Sequence, residues 1–472
     1  MKYLPSFKLW FSQGPEDPCH ELVAGRHFHL GLDAFGRLFW ANPSRRLLDL
    51  LRIAMSVYVV DRLVRRRQQA QQGRWFRSLK LSIEVREPDF WQNGDVFGTL
   101  IECLEFLSED GWEVTFVRDE RDPPPREGFL RGESPFLTYP PLVCLSSGGL
   151  DSAAGLGIRM AENPNRPVIP VTVWHQPNQR ESVERQYGLL RKRYGGATIH
   201  PLIVKSAMIW DSELKGWKQE WSQRCRSFLF AAVGAVVAAM SGVTAVEVFE
   251  SGIGAINLPL LAGMVGSRAT RGSHPYFFHL MSRLISVAAG REIVFHLPFM
   301  DKTKGQVVAQ AIGLGLQELV RSTVSCVHYP LRERPHKQCG VCPACIFRRQ
   351  AMAVACVEEN GVYKHDLFGP DHESGELQED RLEFLKAFLL QVVNLGPLQS
   401  GGPVPQRVRR HLFATNVVST EESMAPFLRL FSRYRHEWLS IAAEGMERGW
   451  AWANLLAPVG ATLIGEENHA SA

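Results

Sequence analysis

The sequence predicts an α/β protein built on a parallel sheet with helices on both faces. From residue 141 onward, short apolar runs alternate with segments of helical spacing, a pattern typical of such sheets. A glycine-rich turn follows the first run, at the strand end where open sheets bind ligands. The predicted strands are PLVCLS, VIPVTVW, ATIHPLIV and AVEVFESG, with helices between them at 181–193 and 228–240.

The preceding part of the chain predicts a separate α+β domain over residues 1–130. Its helices are expected at 45–64 and 97–107, and its strands at 79–85 and 112–117. The charged, proline-rich stretch RDERDPPPREG then reads as a linker. The main domain is predicted over 138–360. A C-terminal helical region over 378–472 follows, with helices at 381–393 and 424–455.

Composition excludes several classes of protein. The chain has 472 residues, a formal charge of +4 and 45% hydrophobic residues, so any nucleic-acid surface would have to be a local patch. No signal peptide is recognisable, and the longest apolar run, 228–240, is too short to cross a bilayer. We therefore expect a cytoplasmic protein without membrane contact. Nine cysteines, an odd number, do not form a paired disulfide framework.

The glycine-rich turn predicts a phosphate site. Its residues are Ser147, Gly148, Gly149, Leu150, Asp151 and Ser152. Glycines let backbone N–H groups approach an anion, and the next helix adds the positive end of its dipole. Neither the Walker P-loop nor the dinucleotide fingerprint is present at this turn. The alternative is a plain strand-to-helix turn with Asp151 as a helix cap.

A cysteine cluster predicts a structural metal site. Cys339, Cys342 and Cys345 form two overlapping CxxC steps, which suit three corners of a Zn²⁺ tetrahedron. Cys326, His328 and His336 compete to be the fourth ligand. Four protein ligands leave no open position for catalysis. A metal-free redox CxxC and an iron–sulfur cluster remain alternatives.

These motifs together resemble a known family. The SGGLDS loop is similar to that of PP-loop ATP pyrophosphatases, which split ATP between its α- and β-phosphates. A downstream Cys326 followed by CGVCPACIFR at 339–348 resembles the QueC family, 7-cyano-7-deazaguanine synthases, over about residues 140–360. The resemblance implies a PP-loop fold that uses ATP and Mg²⁺. It also implies zinc held by Cys326, Cys339, Cys342 and Cys345.

Further segments of this resemblance suggest site residues. Similar stretches are WHQPNQR at 174–180, RSFLFAAVGA from Arg226, and PFMDKTK ending at Lys304. By resemblance, Gln179 and Arg180 join residues 147–152 in binding ATP. Catalysis is then assigned to Asp151, which orients Mg²⁺ or the loop, with Lys304 and Arg226 contacting phosphate or carboxylate. The alternative is that Arg180, Arg226 and Lys304 simply lie on the surface.

The resemblance implies adenylation of 7-carboxy-7-deazaguanine and formation of an amide, which the family dehydrates to a nitrile. The chain is about twice the family's length, and the family's substrate segment is not recognisable between residues 250 and 286. Such long chains resemble extended proteins of anti-phage operons, among them QatC. That implies a partner-protein amine as acceptor, with the flanking regions docking that protein. Alternatives are an ordinary synthase using ammonia, an RNA-modifying enzyme with the basic run 65–67, and a non-enzymatic scaffold. The sequence leaves the oligomeric state open.

Overall fold

The structure is a computed structural model of the chain. It describes residues 8–13, 17–66, 76–121, 139–175, 177–209, 214, 217, 219–259, 270–329, 331, 338–369, 379–398, 403–450 and 452–453. The chain divides into two compact units. The first comprises Met1–Ser147, Arg159–Phe249 and Val265–Leu297, and the second Gly148–Ile158, Glu250–Met264 and Pro298–Ala472.

All strands of the described residues belong to the first unit and form two sheets. They are β1 (Lys8–Ser12), β2 (His20–Val23), β3 (Phe28–Leu30), β4 (Ser78–Val85), β5 (Gly111–Arg118), β6 (Leu142–Leu145), β7 (Val168–Trp174), β8 (Leu202–Met208), β9 (Ala245–Val248) and β10 (Val294–His296). The strand orders are β2-β1-β4-β5 and β10-β9-β6-β7-β8-β3.

The six-stranded sheet confirms the predicted α/β class. Its five strands from β6 to β10 are parallel, while β3 pairs antiparallel with β8 at one edge. Six of the seven residues of β7 are buried, as expected for a strand covered on both faces. The parallel order places the carboxyl ends of the strands at one edge, where β6 runs into the glycine-rich turn.

The four-stranded sheet follows from alternating patterns in the sequence. In β4 the outward residues are polar and the inward ones apolar, so that every second side chain is buried. β4 pairs in parallel with β5 and antiparallel with β1. Both strands predicted here, 79–85 and 112–117, lie inside the observed β4 and β5.

One hydrophobic core serves both sheets of the first unit. It contains Leu9 and Leu81 of the smaller sheet, Val171 and Val204 of the larger one, and Val236 of the helix Arg226–Met240. The helices of this unit are Asp33–Phe39, Arg45–Leu63, Pro88–Trp91, Gly94–Ser108, Pro177–Tyr194, Arg226–Met240 and Pro275–Ala289, together with the end of Leu150–Glu162. The three domains predicted from the sequence, with their boundaries, stay a prediction.

The second unit is helical in its described residues. It contains the start of Leu150–Glu162, then Gly252–Ile256, Lys304–Gly313, Gln317–Arg321, Pro343–Val354, Glu379–Asn394, Gln406–Ala414 and Ala425–Glu447. Its largest apolar cluster surrounds the fully buried Trp438 and includes Leu412, Phe431 and Ile346. Among the described helices of the whole chain, none is long and apolar enough to cross a membrane.

Candidate functional site

The glycine-rich turn has the geometry of a phosphate loop. β6 ends at Leu145, and the helix Leu150–Glu162 begins after four intervening residues. Gly148 has φ +80°, a conformation that side-chain-bearing residues rarely adopt, so glycine is required there. Ser152 Oγ donates to Gly149 O at 3.0 Å, and Ala153 N donates to the same oxygen at 3.1 Å. The turn therefore leads into a 13-residue helix whose N-terminus favours an anion.

Asp151, in the first turn of that helix, forms an ion pair with Lys304 inside the second unit. Both side chains are 12% exposed. Lys304 Nζ also lies 3.9 Å from Glu250 Oε1 and 4.6 Å from the ring centre of Phe347. Burial lowers the pKa of Lys304, but Asp151 and Glu250 outweigh it, so the pKa lies above its ordinary value. Lys304 is thus a buried cation held by two carboxylates.

One oxygen of Asp151 has no partner among the described residues. Lys304 bonds to Oδ2, whereas Oδ1 is buried without a hydrogen bond. A buried carboxylate oxygen normally accepts a hydrogen bond or binds a cation. Asp151 is therefore suited to a further ligand, and a hard cation such as Mg²⁺ prefers such oxygen donors.

Lys304 is held in place at the N-terminus of a capped helix. Thr303 caps the helix Lys304–Gly313 in a capping box with Gln306: Gln306 N donates to Thr303 Oγ1 at 3.1 Å, and Thr303 N donates to Gln306 Oε1 at 3.0 Å. Thr303 Oγ1 in turn donates to Glu437 of the helix Ala425–Glu447. Burial raises the pKa of Glu437. The C-terminal helices of the unit thus hold the residue next to Lys304.

Glu250 is brought to the site by a tight crossing of two segments. Gly252 N donates to Phe299 O and to Lys302 O, both at 3.0 Å. A Cβ on Gly252 would lie 2.1 Å from Met300 O, so only glycine allows this approach. The crossing ties the segment that carries Glu250 to the one that precedes Lys304.

The four predicted cysteine ligands converge in the second unit. Cys326, Cys339, Cys342 and Cys345 are buried in one cluster, and the sulfurs of Cys339 and Cys345 are 3.8 Å apart. Cys339 N donates to the sulfur of Cys326 at 3.4 Å. The side chains of Cys326, Cys342 and Cys345 donate to Cys339 and hold the pKa of its thiol well below its usual range. Sulfur donors at these separations fit a zinc ion.

His328 remains a competitor for one position. The ligand atoms of Cys326, His328, Cys339 and Cys342 all lie within 4.8 Å of one another. His336, the other histidine considered, lies outside the described residues. Gly340 has φ +84°, and a Cβ there would lie 1.8 Å from His365 O, so glycine closes the turn between the cysteines. The residues of the cluster fit a closed, structural metal site.

Arg348, the last residue of the CGVCPACIFR segment, supports this element. Its guanidinium is buried and lies 2.7 Å from Glu359 Oε1. It also donates to Thr323 Oγ1 and to Val320 O. Glu359 holds the pKa of Arg348 above its ordinary value despite burial. Arg348 therefore ties the helix Pro343–Val354, which carries Cys345, to the segment before Cys326.

The remaining predicted site residues lie in the first unit. Arg226 begins the helix Arg226–Met240, and Gln179 and Arg180 lie in the first turn of Pro177–Tyr194. Arg180 is exposed and pairs with Glu184 at 2.8 Å. His274, weighed as a functional histidine, caps a helix: its Nδ1 accepts from Tyr276 N at 3.2 Å. The structure thus joins Asp151 to Lys304 within the second unit, whereas Arg226 lies in the first unit.

Sequence reasoning missed Glu250 and Phe347, two further contacts of Lys304. Glu250 lies near the carboxyl end of the predicted strand AVEVFESG, which was the available signal for a ligand-facing acid. Phe347 stands between the last cysteine ligand and Arg348, and no local pattern distinguishes it from a core residue.

Comparison with known proteins supports the family resemblance. Residues 272–355 match the family described as "QueC: Queuosine biosynthesis protein QueC". A 7-cyano-7-deazaguanine synthase of Methylobacillus flagellatus is 36% identical over 87 residues, which are 18% of this chain and 36% of that protein. One from Paramagnetospirillum magneticum is 25% identical over 241 residues, 47% of this chain and 98% of that protein.

A third 7-cyano-7-deazaguanine synthase, of an Anaeromyxobacter species, is 34% identical over 94 residues, 19% of this chain and 38% of that protein. Two of the three matches therefore span only a minority of the relatives' length. The predicted resemblance to the QueC family is confirmed by these matches. The affiliation with the anti-phage group stays a prediction.

Proposed function

We propose that the chain is an ATP-dependent enzyme that adenylates the carboxylate of 7-carboxy-7-deazaguanine and passes the acyl group to an amine. The observation that carries the proposal is the buried pair of Asp151 and Lys304 at the start of the helix after the SGGLDS turn. The pair places the ammonium of Lys304 and the carboxylate of Asp151 beside the anion-binding N-terminus of that helix. Oδ1 of Asp151 has no partner among the described residues and is available to a further ligand. The relatives named as 7-cyano-7-deazaguanine synthases supply the substrate class.

The first step needs an oxygen nucleophile, ATP and a site for pyrophosphate. A carboxylate oxygen attacks the α-phosphorus, the bond to the β-phosphate oxygen breaks, and pyrophosphate leaves. The turn at 147–149 and the helix N-terminus bind the leaving phosphates through backbone N–H groups. Lys304 offsets the negative charge that accumulates on the phosphates as the bond breaks.

Asp151 and Glu250 are suited to hold Mg²⁺ beside the phosphates. Bound Mg²⁺ would supply additional charge neutralisation for the leaving pyrophosphate. Asp151 Oδ1 is the group available for this, because Oδ2 is engaged by Lys304. Asp151 also fixes Lys304 in place. The cysteine cluster, when zinc is bound, stabilises the unit that carries both residues.

The second step consumes the acyl adenylate. An amine attacks the acyl carbon, AMP leaves, and an amide forms with release of a proton. We propose a partner-protein amine as the acceptor, in an anti-phage setting. The 241-residue match covers 47% of the chain, so about half of the chain lies outside it and is available to dock a protein.

The second candidate is an ordinary synthase that uses ammonia and then dehydrates the amide to the nitrile. In that dehydration the amide oxygen attacks the α-phosphorus of a second ATP and pyrophosphate leaves. The carbon–oxygen bond then breaks, AMP departs with that oxygen, and the nitrogen loses its two protons to give the nitrile. The names of the relatives favour this candidate. An RNA-modifying enzyme and a non-enzymatic scaffold are weaker: Arg66 of the basic run is engaged by Asp110 at 2.6 Å, and the loop residues are all present.

The deciding experiment measures exchange of labelled pyrophosphate into ATP with and without 7-carboxy-7-deazaguanine. We expect exchange only with the carboxylate present, AMP as a product, and none with Asp151→Ala of normal fold. ADP as the sole nucleotide product would contradict the proposal. Mass spectrometry then separates the acceptors: a protein mass increment supports the protein amine, whereas nitrile formed from ammonia alone supports the ordinary synthase.

A further inference from the structure

A second cationic site lies within the first unit, apart from the residues of the QueC-matching segment 272–355. Arg226 begins the helix Arg226–Met240, and Arg62 lies near the end of the helix Arg45–Leu63. Tyr58 lies one turn before Arg62 on the same helix face, and His175 follows strand β7. The helices of Arg62 and Arg226 pack against each other within this unit.

Hydrogen bonds fix these two helix ends side by side. Cys225 N, just before Arg226, donates to Asp61 Oδ2 at 3.0 Å. Arg62 Nη2 donates to Gln219 Oε1 at 2.8 Å, and Glu220 N donates to Arg62 O at 2.8 Å. The segment that leads into Arg226 is therefore held against residues 61 and 62. Arg62 and Arg226 consequently lie close together.

The nearby carboxylates of the described residues are already engaged. Asp61 Oδ1 lies 2.6 Å from Arg77 Nη2, and its Oδ2 accepts from Cys225 N. Glu220 accepts from Arg66 N and from Ser222 N, each at 3.0 Å. No described carboxylate pairs with the guanidinium of Arg62 or of Arg226.

Arg62 keeps an unused donor although it is 92% buried. Its relative exposure is 8%, and its Nε has no hydrogen-bond partner among the described residues. Burial lowers the pKa of Arg226, and the charge of Arg62 acts in the same direction, although Tyr58 opposes them more strongly than Arg62 contributes. Burial, Arg226 and Arg62 lower the pKa of His175 to about 4, so His175 is neutral at pH 7.

We propose that Arg62 and Arg226 together bind an oxyanion group of a reactant, a carboxylate or a phosphate. Two guanidinium groups can each give two parallel hydrogen bonds to such a group. Neutral His175 and the hydroxyl of Tyr58 add donors without further charge. The inference rests on the proposed function for the identity of the reactant. It adds a residue from the first 130 of the chain to the binding of that reactant.

A purely structural role and a binding role predict opposite stability changes. Arg226 makes no side-chain hydrogen bond to a described residue, and Arg62 repels it. Arg226→Met should therefore keep or raise the Tm of the unliganded protein. A structural arginine would instead lower it, because its hydrogen bonds would be lost.

The test measures binding directly, by calorimetry and by the ligand-dependent rise in Tm. The probes are inorganic pyrophosphate, ATP, 7-carboxy-7-deazaguanine and its uncharged 7-cyano analogue. Arg62→Met and Arg226→Met should each weaken one class of oxyanion at least ~10-fold, the loss of one charge-assisted contact. The matched control is Arg45→Met, an exposed arginine on the same helix as Arg62, which should bind like wild type.

The outcomes separate the sources of the oxyanion. If the two arginine variants bind 7-carboxy-7-deazaguanine more weakly but bind its cyano analogue normally, the site is assigned to the substrate carboxylate. Selective loss of ATP and pyrophosphate assigns it to phosphate. Unchanged binding of every probe, or a lower Tm with unchanged binding, overturns the inference. Arginine-dependent binding in a protein without pyrophosphate exchange would sink the proposed function and leave this inference standing.

Discussion

Lys304 and Asp151 form a buried ion pair although they are 153 residues apart in sequence. The pair joins the first turn of one helix to the first residue of another, and Glu250 stands 3.9 Å from the same ammonium. Because the second oxygen of Asp151 has no hydrogen-bond partner in the part of the chain that the structure describes, the pair is not a closed structural salt bridge. The pair leaves one carboxylate oxygen of Asp151 for a further ligand.

Breaking this pair should change both the stability of the protein and its pyrophosphate exchange. Lys304→Met leaves Asp151 charged and buried, which costs about 3 kcal/mol in comparable pairs. Asp151→Asn combined with Lys304→Met should recover much of that free energy of unfolding, while pyrophosphate exchange stays lost. Urea unfolding of the two single variants and the double variant measures the coupling. Additive losses of stability would show that the two residues do not interact.

The cysteine cluster should hold one zinc ion that stabilises the second unit. Cys339→Ser removes a thiolate at the centre of the cluster, so metal content and soluble yield should both fall. Structural zinc contributes on the order of 10 kcal/mol in small metal-folded peptides, so the effect on folding should precede any effect on chemistry. Elemental analysis of the purified protein provides the readout.

A matched pair of variants tests whether Cys345 or His328 joins Cys326, Cys339 and Cys342 as a ligand. If Cys345 completes the site, Cys345→Ser loses zinc and His328→Ala keeps it. The reverse result would assign the position to His328, which lies in the same group of ligand atoms. Retention of full metal content and stability by Cys339→Ser would refute the site as a whole.

Gly252 should be intolerant of a side chain. A Cβ there would lie 2.1 Å from the backbone oxygen of Met300, and that oxygen cannot turn away as a flexible side chain would. Gly252→Ala should lower the free energy of unfolding by about 1–3 kcal/mol and reduce pyrophosphate exchange, since the displaced segment precedes Lys304.

The control is Gly98→Ala in the helix Gly94–Ser108, where an added Cβ meets nothing within 4 Å. That change should stabilise the protein by roughly 0.5–1 kcal/mol. Equal effects of the two substitutions would mean that the close approach at Gly252 does not exist.

Local chemistry made part of this site predictable. Gly148 needs its positive φ within a short motif, and the CxxC spacing itself brings three sulfurs together. Both signals lie within a few residues. Family resemblance alone assigned Asp151 and Lys304 to one catalytic site, and their contact was not predicted, because no pattern within either segment refers to the other. Arg62 had no signal at all, since its significance depends on a neighbour 164 residues away.

The same contrast between local and long-range signals applies to the fold. The amphipathic or apolar segments 45–64, 97–107 and 228–240 were each found within a few residues of the observed helices. β3 was missed because three residues carry little pattern, and its stability comes from pairing Phe28 with Met208 far along the chain. The helix Gln406–Ala414 was missed because its charged residues hide the two that are buried, Val408 and Leu412.

His175 should give the protein a stability loss on mild acidification. Its folded-state pKa is about 4, below the ordinary 6.5, because burial and the charges of Arg226 and Arg62 oppose protonation. The unfolded chain therefore binds the proton first. The stabilising contribution is complete above pH 6.5 and is lost as the pH falls toward 4, up to about 3 kcal/mol for a shift of this size.

His175→Gln keeps a neutral polar side chain but cannot titrate, so its free energy of unfolding should fall less between pH 6.5 and 5 than that of wild type. Urea titrations at four pH values measure the difference, and His200→Gln, a change at a histidine whose Nε2 lies 2.9 Å from Ala197 O near the surface, serves as the control. An oxyanion bound to Arg62 and Arg226 would offset their charge, raise the pKa of His175 and flatten the wild-type profile. Identical pH profiles for wild type and His175→Gln would mean that the two arginines do not face His175, and the cationic site would lose its electrostatic support.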